Sequence, residues 1–209
     1  MGDSTFIVYL VDDDTSVLKA LSRLLYANGY DIQPFSSAQD FLDHDDPAIP
    51  GCAVLDVAMP DLDGLALQNA LIARGDQRPI IFLTGKGDIS TSVRAMKAVA
   101  VDFLTKPVTE ALLLDAIHRA READKSSRQL RVEVAAIQAR IATLTPRQYE
   151  VLLHVIAGRL NKQIAGDMGT VEKTIKVHRG RVMEKLGVRT VADLVRLAEK
   201  AGISAWTKS

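Results

Sequence analysis

The stretch FIVYLVDDDTSV, residues 6–17, runs apolar for six residues and then sets three aspartates side by side. A short run rich in Val, Ile and Leu suits a strand buried on both faces, the kind that parallel sheets contain. The adjacent carboxylates at its end repel one another, so either they form a solvated turn or a positive group belongs among them. Working outward, GCAVLDV (51–57) and PIIFLT (79–84) repeat the pattern, with YDIQPF (30–35) and AVDFLT (100–105) as shorter candidates. The intervening segments 16–28, 38–43, 65–74, 89–99 and 109–122 suit helices. Five strands alternating with five helices predict a doubly wound α/β domain built on a five-stranded parallel sheet. Functional groups in such sheets gather at the carboxyl ends of the strands, near the topological switch point.

A chain of 209 residues accommodates one large or two ordinary domains, and a 47% hydrophobic content supports a real core. No run of about 18 apolar residues suggests a membrane span, and the N-terminus lacks the pattern of a signal peptide, so no membrane association is expected. The one cysteine, Cys52, excludes an internal disulfide and fits a reducing cytoplasm. Four scattered histidines give no zinc-ligand spacing. The zero net charge hides a segregation. Residues 1–122 hold 18 acids against 10 Lys/Arg, residues 123–142 hold 2 against 4, and residues 143–209 hold 6 against 12. An acidic front and a basic back predict two domains with different partners, the basic one suited to a polyanion.

Residues 120–144 contain neither Gly nor Pro, and Leu130, Val134, Ile137, Ile141 and Leu144 follow a 4-3-4-3 spacing. That is a short heptad seam, open to two readings: a dimerising coiled coil, or a helical linker whose stripe packs on a neighbouring domain. After it come four short helices. Thr145-Pro146-Arg147-Gln148 has the hydroxyl, the proline and the glutamine of a capping box, and Gly158, Gly169, Gly187 and Gly202 follow apolar stretches that they can terminate.

Polar residues recur where the buried strands should end. Asp12 and Asp13 follow the first, Asp56 lies near the end of the third, Thr84 closes the fourth, and Lys106 follows the fifth and precedes Pro107, where a cis bond could aim the lysine inward. Asp14 reads as the solvated start of the helix that follows. Three carboxylates in a shallow pocket form an oxygen site suited to Mg²⁺. One of them can then act as nucleophile toward a phosphoryl group, with Lys106 neutralising transferring oxygens and Thr84 binding the product. TGKGDIST lacks the spacing of a phosphate-cradling loop, and a phosphatase reading of Asp12-x-Asp14 leaves Asp56 unexplained.

Asp12-Asp13, VLDVAMPDLDG around Asp56, IIFLTGKGD around Thr84 and DFLTKP (102–107) resemble the receiver domain of two-component response regulators, a flavodoxin-like fold. The resemblance covers about residues 4–122. It implies that Asp56 accepts the phosphoryl group from a sensor histidine kinase. Asp13, Asp56 and the backbone carbonyl of Ala58 would hold Mg²⁺, with Asp12 assisting through water. Thr84 and Lys106 would contact the phosphoryl oxygens, and Phe103 would be the aromatic switch. Met59-Pro60 and Gly64 fit the family's loop. Val99 stands where such receivers commonly have Gly, and Lys86 lies two residues past Thr84, close enough to alter phosphoryl lifetime.

LNKQIAGDMGTVEKTIKVHRGRVMEKLG (160–187) has the form helix, tight turn, helix. Asn161 can cap the first helix, and Val171, Ile175, His178, Val182 and Leu186 place one stripe of the second inward. Lys173, Thr174, Lys176, Val177 and Arg181 occupy its other faces, offering cations, a hydroxyl and a small apolar group to a DNA groove. A basic bundle that grips a protein is the competing reading. With LTPRQYEVL and TIKVHRGRVMEKLGVRT, this region resembles a LuxR-type helix-turn-helix over about 142–203. Together with the receiver it is similar to the NarL/FixJ family, and the loop before AMKA resembles its FixJ branch. By that resemblance Lys176 and Val177 face bases, Lys162 and Lys173 approach phosphates, and residues 191–200 form a dimerising helix. Gln148 replaces the family's frequent Glu. Val171 replaces its usual residue at the recognition-helix cap, so Thr170 could cap one position earlier.

The expected protein is a cytoplasmic, phosphorylation-gated transcription regulator and not an enzyme. Its parts are a phosphoacceptor receiver (1–122), a helical linker (123–142) and an all-α, four-helix DNA-binding domain (143–209). Its implied partners are the kinase, double-stranded DNA, a second copy of the chain when phosphorylated, and RNA polymerase as a further candidate. A phospho-switched module with a protein-binding output domain is the alternative.

Overall fold

The computed structural model describes residues 6–85 and 100–206. The predicted helix over 89–99, with Lys86 and Val99, lies outside the described residues. The chain divides into two compact units, Met1–Arg128 and Gln129–Ser209.

In the first unit β1 (Ile7–Val11), β2 (Asp31–Phe35), β3 (Gly51–Asp56), β4 (Ile80–Thr84) and β5 (Asp102–Thr105) form one sheet in the order β2-β1-β3-β4-β5. Every neighbouring pair is parallel. The alternation along each strand explains the continuous apolar runs. Val8 and Leu10 of β1, Cys52 and Val54 of β3, and Ile81 and Leu83 of β4 join one core. Tyr9 and Val11, Ala53 and Leu55, and Ile80 and Phe82 join the other. A strand with a core on each face has no side that can be polar. α1 (Thr15–Ala27) covers the first face with Leu18, Leu21 and Leu25. α2 (Ala38–His44) and α3 (Gly64–Ala73) cover the second with Phe41, Leu67 and Leu71. β2 is an edge strand, which is why it tolerates Pro34 and exposed residues.

α4 (Glu110–Ile141) merges the helix predicted over 109–122 with the linker stretch, because neither Gly nor Pro interrupts it. Leu113, Ala116, Ile117 and Ala120 belong to the first unit's core. In the second unit Ile141 and Leu144 pack against the core formed by α5 (Pro146–Ile156), α6 (Asn161–Asp167), α7 (Glu172–Leu186) and α8 (Val191–Lys200). The C-terminal end of the heptad stripe is therefore used inside the chain. Leu130, at its other end, is exposed.

The capping box of α5 forms as predicted: Gln148 N donates to Thr145 Oγ1, and Gln148 Oε1 accepts from Thr145 N at 3.0 Å. Gly158, Gly169, Gly187 and Gly202 all take positive φ after a helix. Two cap expectations are corrected. Leu160, not Asn161, occupies the cap of α6, where Gln163 Oε1 accepts from the Leu160 N–H. Asn161 is already helical, and its Oδ1 instead accepts from Arg179 Nη1 at 3.0 Å. Neither does Thr170 cap α7. Val171 holds that position with no side-chain bond, and it is exposed rather than part of the buried stripe.

Candidate functional site

The carboxyl ends of the sheet carry the acidic constellation. Asp12 follows β1, Asp56 ends β3, and both are nearly fully buried, whereas Asp13 is exposed. β1 and β3 are neighbours whose connections leave toward opposite sides of the sheet, so their ends open the crevice at the switch point. Carboxylate oxygens of Asp12, Asp13 and Asp56 lie within 4.8 Å of one another. The positive group that the sequence called for is Lys106. Its Nζ donates to Asp12 Oδ2 at 2.6 Å and lies 3.1 Å from Asp56 Oδ1. The Lys106-Pro107 bond is cis, and the Lys106 N–H donates to the Thr84 carbonyl.

Burial pushes the Asp12 carboxyl above its ordinary value, with Asp56 adding to the rise and Lys106 opposing it. Burial would lower the Lys106 ammonium, but its bonds to Asp12 and Asp56 outweigh this and hold it above the usual lysine value. The two directions pull differently on one pair, and the 2.6 Å contact decides for the ionised form. Asp14 plays a separate part: its side chain caps α1 by accepting from the Ser16 N–H.

Around this cluster Thr84 is buried at the end of β4, and among the described residues its hydroxyl has only a long 3.4 Å contact, to the Gly85 carbonyl. Phe103 on β5 is half-buried and stacks on Phe82 with centroids 4.9 Å apart. Ala58 lies exposed in the loop after β3. That loop turns back where Gly64 N donates to the Val57 carbonyl, and a Cβ on Gly64 would sit 2.3 Å from the Asp56 carbonyl oxygen. Only glycine permits so close an approach. The oxygen-only donor set, with one exposed carboxylate beside two buried ones, fits a partly hydrated divalent ion such as Mg²⁺.

In the second unit Ile175, Val182 and Leu186 bury one side of α7, with His178 half-buried beside them. Lys173, Lys176, Val177 and Arg181 are exposed, as is Lys162 on α6, while Thr174 is half-buried. Arg179, tied to Asn161, was not among the sequence candidates; a link between residues 18 apart leaves no periodic signal. Among the described residues no helix is long and apolar enough to cross a membrane.

Residues 8–118 match the response regulator receiver domain family, and residues 142–198 match the bacterial regulatory proteins of the luxR family. The chain is 43% identical over 199 residues to nodulation protein W of Bradyrhizobium diazoefficiens, covering 95% of this chain and 88% of that protein. It is 40% identical over 204 residues to the transcriptional regulatory protein FixJ of the same organism, covering 94% and 96%. The solved structure of the response regulator StyR superposes with a TM-score of 0.75 at 45% identity, over 94% of this chain and 99% of that one. The chain belongs to the response regulators that join a receiver domain to a LuxR-type helix-turn-helix. It is a transcription regulator of a two-component system, and the luxR match sets aside the protein-gripping reading of the basic bundle.

Proposed function

We propose that Asp56 is the phosphoacceptor and that its state controls DNA binding by α7. The observation that carries this reading is Lys106 Nζ bridging the carboxylates of Asp12 and Asp56, beside Asp13, at the switch point of the sheet. An Asp56 oxygen attacks phosphorus, the bond from phosphorus to the kinase histidine nitrogen breaks, and an acyl phosphate remains on Asp56. Lys106 shifts from carboxylate to phosphoryl oxygen, holding the charge that develops there. The Thr84 hydroxyl, only weakly engaged with Gly85, turns to the new phosphoryl group, and Phe103 moves into the space this opens. Mg²⁺, held by Asp13, Asp56 and the Ala58 carbonyl with Asp12 acting through water, would supply charge neutralisation for the transfer.

On the output side Lys176 and Val177 face base edges, Lys162, Lys173 and Arg181 meet phosphates, and Thr174 supports the first turns of the helix. The receiver runs over 1–122, the linker over 123–142 and the DNA-binding domain over 143–209. The protein works in the cytoplasm, turns over no external substrate, pairs into a homodimer when phosphorylated and acts on RNA polymerase at its promoters. Asp56→Asn should abolish labelling by a radioactive phosphodonor with Mg²⁺, and retained labelling would refute the acceptor assignment. Lys176→Ala should weaken DNA binding; unchanged affinity at low and high salt would refute the groove assignment.

A further inference from the structure

Gly180 sits inside α7, eight residues after Glu172 and six before Leu186. A glycine inside a helix is less favourable than alanine, because it carries more chain entropy to lose and offers no side chain. Such a residue is normally explained by a backbone angle or by crowding. Gly180 has neither reason. Its φ is not positive, and a Cβ built on it meets nothing within 4 Å. The folded chain therefore gives no ground for glycine at this position among the described residues.

Its place on the helix supplies one. At about 100° per residue, Gly180 falls near the centre of the exposed arc of α7. Lys176 and Val177 lie one turn before it, Lys173 two turns before, and Arg181 and Glu184 follow, all exposed. Val177 is an exposed apolar residue, 47% accessible, on this otherwise charged face. The opposite side, with Ile175, Val182 and Leu186, is fixed in the core, so the helix cannot rotate to relieve a clash on the outer side.

We propose that Gly180 is a positioning residue for sequence readout: the missing Cβ lets the middle of α7 approach the DNA closely enough for Lys176 and Val177 to reach base edges. The proposal rests on α7 as the DNA-facing helix and adds a steric requirement to it. Gly180 contributes no hydrogen bond and no charge. A side chain there would lift the helix from the groove and shorten the reach of its neighbours toward the bases, while phosphate contacts by flexible lysines would persist.

The test uses the full-length chain with Mg²⁺ and acetyl phosphate, a random-sequence duplex pool, and a duplex that the wild-type protein enriches from that pool. Gly180→Ala should leave the thermal unfolding midpoint unchanged or higher and weaken binding to the enriched duplex by roughly tenfold, the scale of one lost base contact. Gly180→Leu should weaken it further. Both variants should keep the wild-type salt slope and bind the pool almost normally, whereas Lys173→Ala, at a phosphate-facing lysine, should reduce the slope. Wild-type affinity of Gly180→Ala for the enriched duplex would overturn the proposal and leave α7 as the reading helix. A loss of folding stability in parallel with affinity would overturn it too, by assigning glycine a structural role. Absence of enrichment and of salt-dependent binding by the wild-type protein would remove the DNA reading itself, and the proposal with it.

Discussion

Replacing Lys106 by methionine keeps the aliphatic stem and removes the positive charge that bridges Asp12 and Asp56. Oxygens of the three aspartates approach within 4.8 Å. Two unit charges at that distance repel by about 3.5 kcal/mol at an effective dielectric near 20. Lys106 is a quarter exposed, so water screens part of the interaction and the expected loss of stability is about 2 kcal/mol. The loss should appear in full only without divalent metal. Urea unfolding followed by circular dichroism, in EDTA and in saturating Mg²⁺, reads both quantities. In EDTA the variant's midpoint should fall below wild type. Mg²⁺ should stabilise the variant more than the wild type, because the ammonium no longer competes with the ion for the same carboxylates. Equal midpoints in EDTA would show that Lys106 does not offset the repulsion. An equal response to Mg²⁺ would show that lysine and metal do not share a site.

Three further outcomes follow from other parts of the molecule. Arg78→Ala should cost about 3–5 kcal/mol in denaturant unfolding, since it strands buried Asp45, now 2.6 Å from Arg78 Nη1, and uncovers the Tyr9 ring beneath the guanidinium; a loss below about 1 kcal/mol would refute a structural role for this cluster. Gly64→Ala places a Cβ 2.3 Å from the Asp56 carbonyl oxygen, so it should destabilise the first unit by about 1–3 kcal/mol and slow phosphoryl uptake, measured by calorimetry and labelling. Burial holds the His154 imidazole below its ordinary value, with Arg159 lowering it further and Asp167 and Glu150 opposing. A depressed histidine favours the neutral ring, so this contribution to stability is complete above about pH 6.5 and is lost as pH falls through the lower folded value. The Trp206 ring packs at a tilt against His154, with centroids 4.5 Å apart, and is the single tryptophan, so its fluorescence during acid titration reports the effect, which His154→Gln should remove.

The sequence was most legible where a local rule acts alone. Three strands buried on both faces could be read from their unbroken apolar runs, and the capping box of α5 from four consecutive residues. The caps of α6 and α7 were not readable in the same way. Asn161 and Thr170 are good capping types, but Asn161 is drawn to Arg179 across the helix-turn-helix, and Val171 takes the cap of α7 without a side-chain bond. A local preference of about 1 kcal/mol yields to such tertiary contacts.

The sequence by itself determined that Asp12, Asp13, Asp56, Thr84 and Lys106 stand at strand ends, because hydrophobic period and strand length place them there. Only the tertiary structure decided which of them meet. Parallel pairing in the order β2-β1-β3-β4-β5 sets Asp12 beside Asp56 on adjacent strands, and it brings Lys106 back from 94 residues away to lie between them. Likewise Arg78 gives no periodic sign of its bonds to Asp45 and Asp46. Period and propensity act over a few residues; charge pairing at 3 Å acts only after the chain has folded, and no local pattern records it.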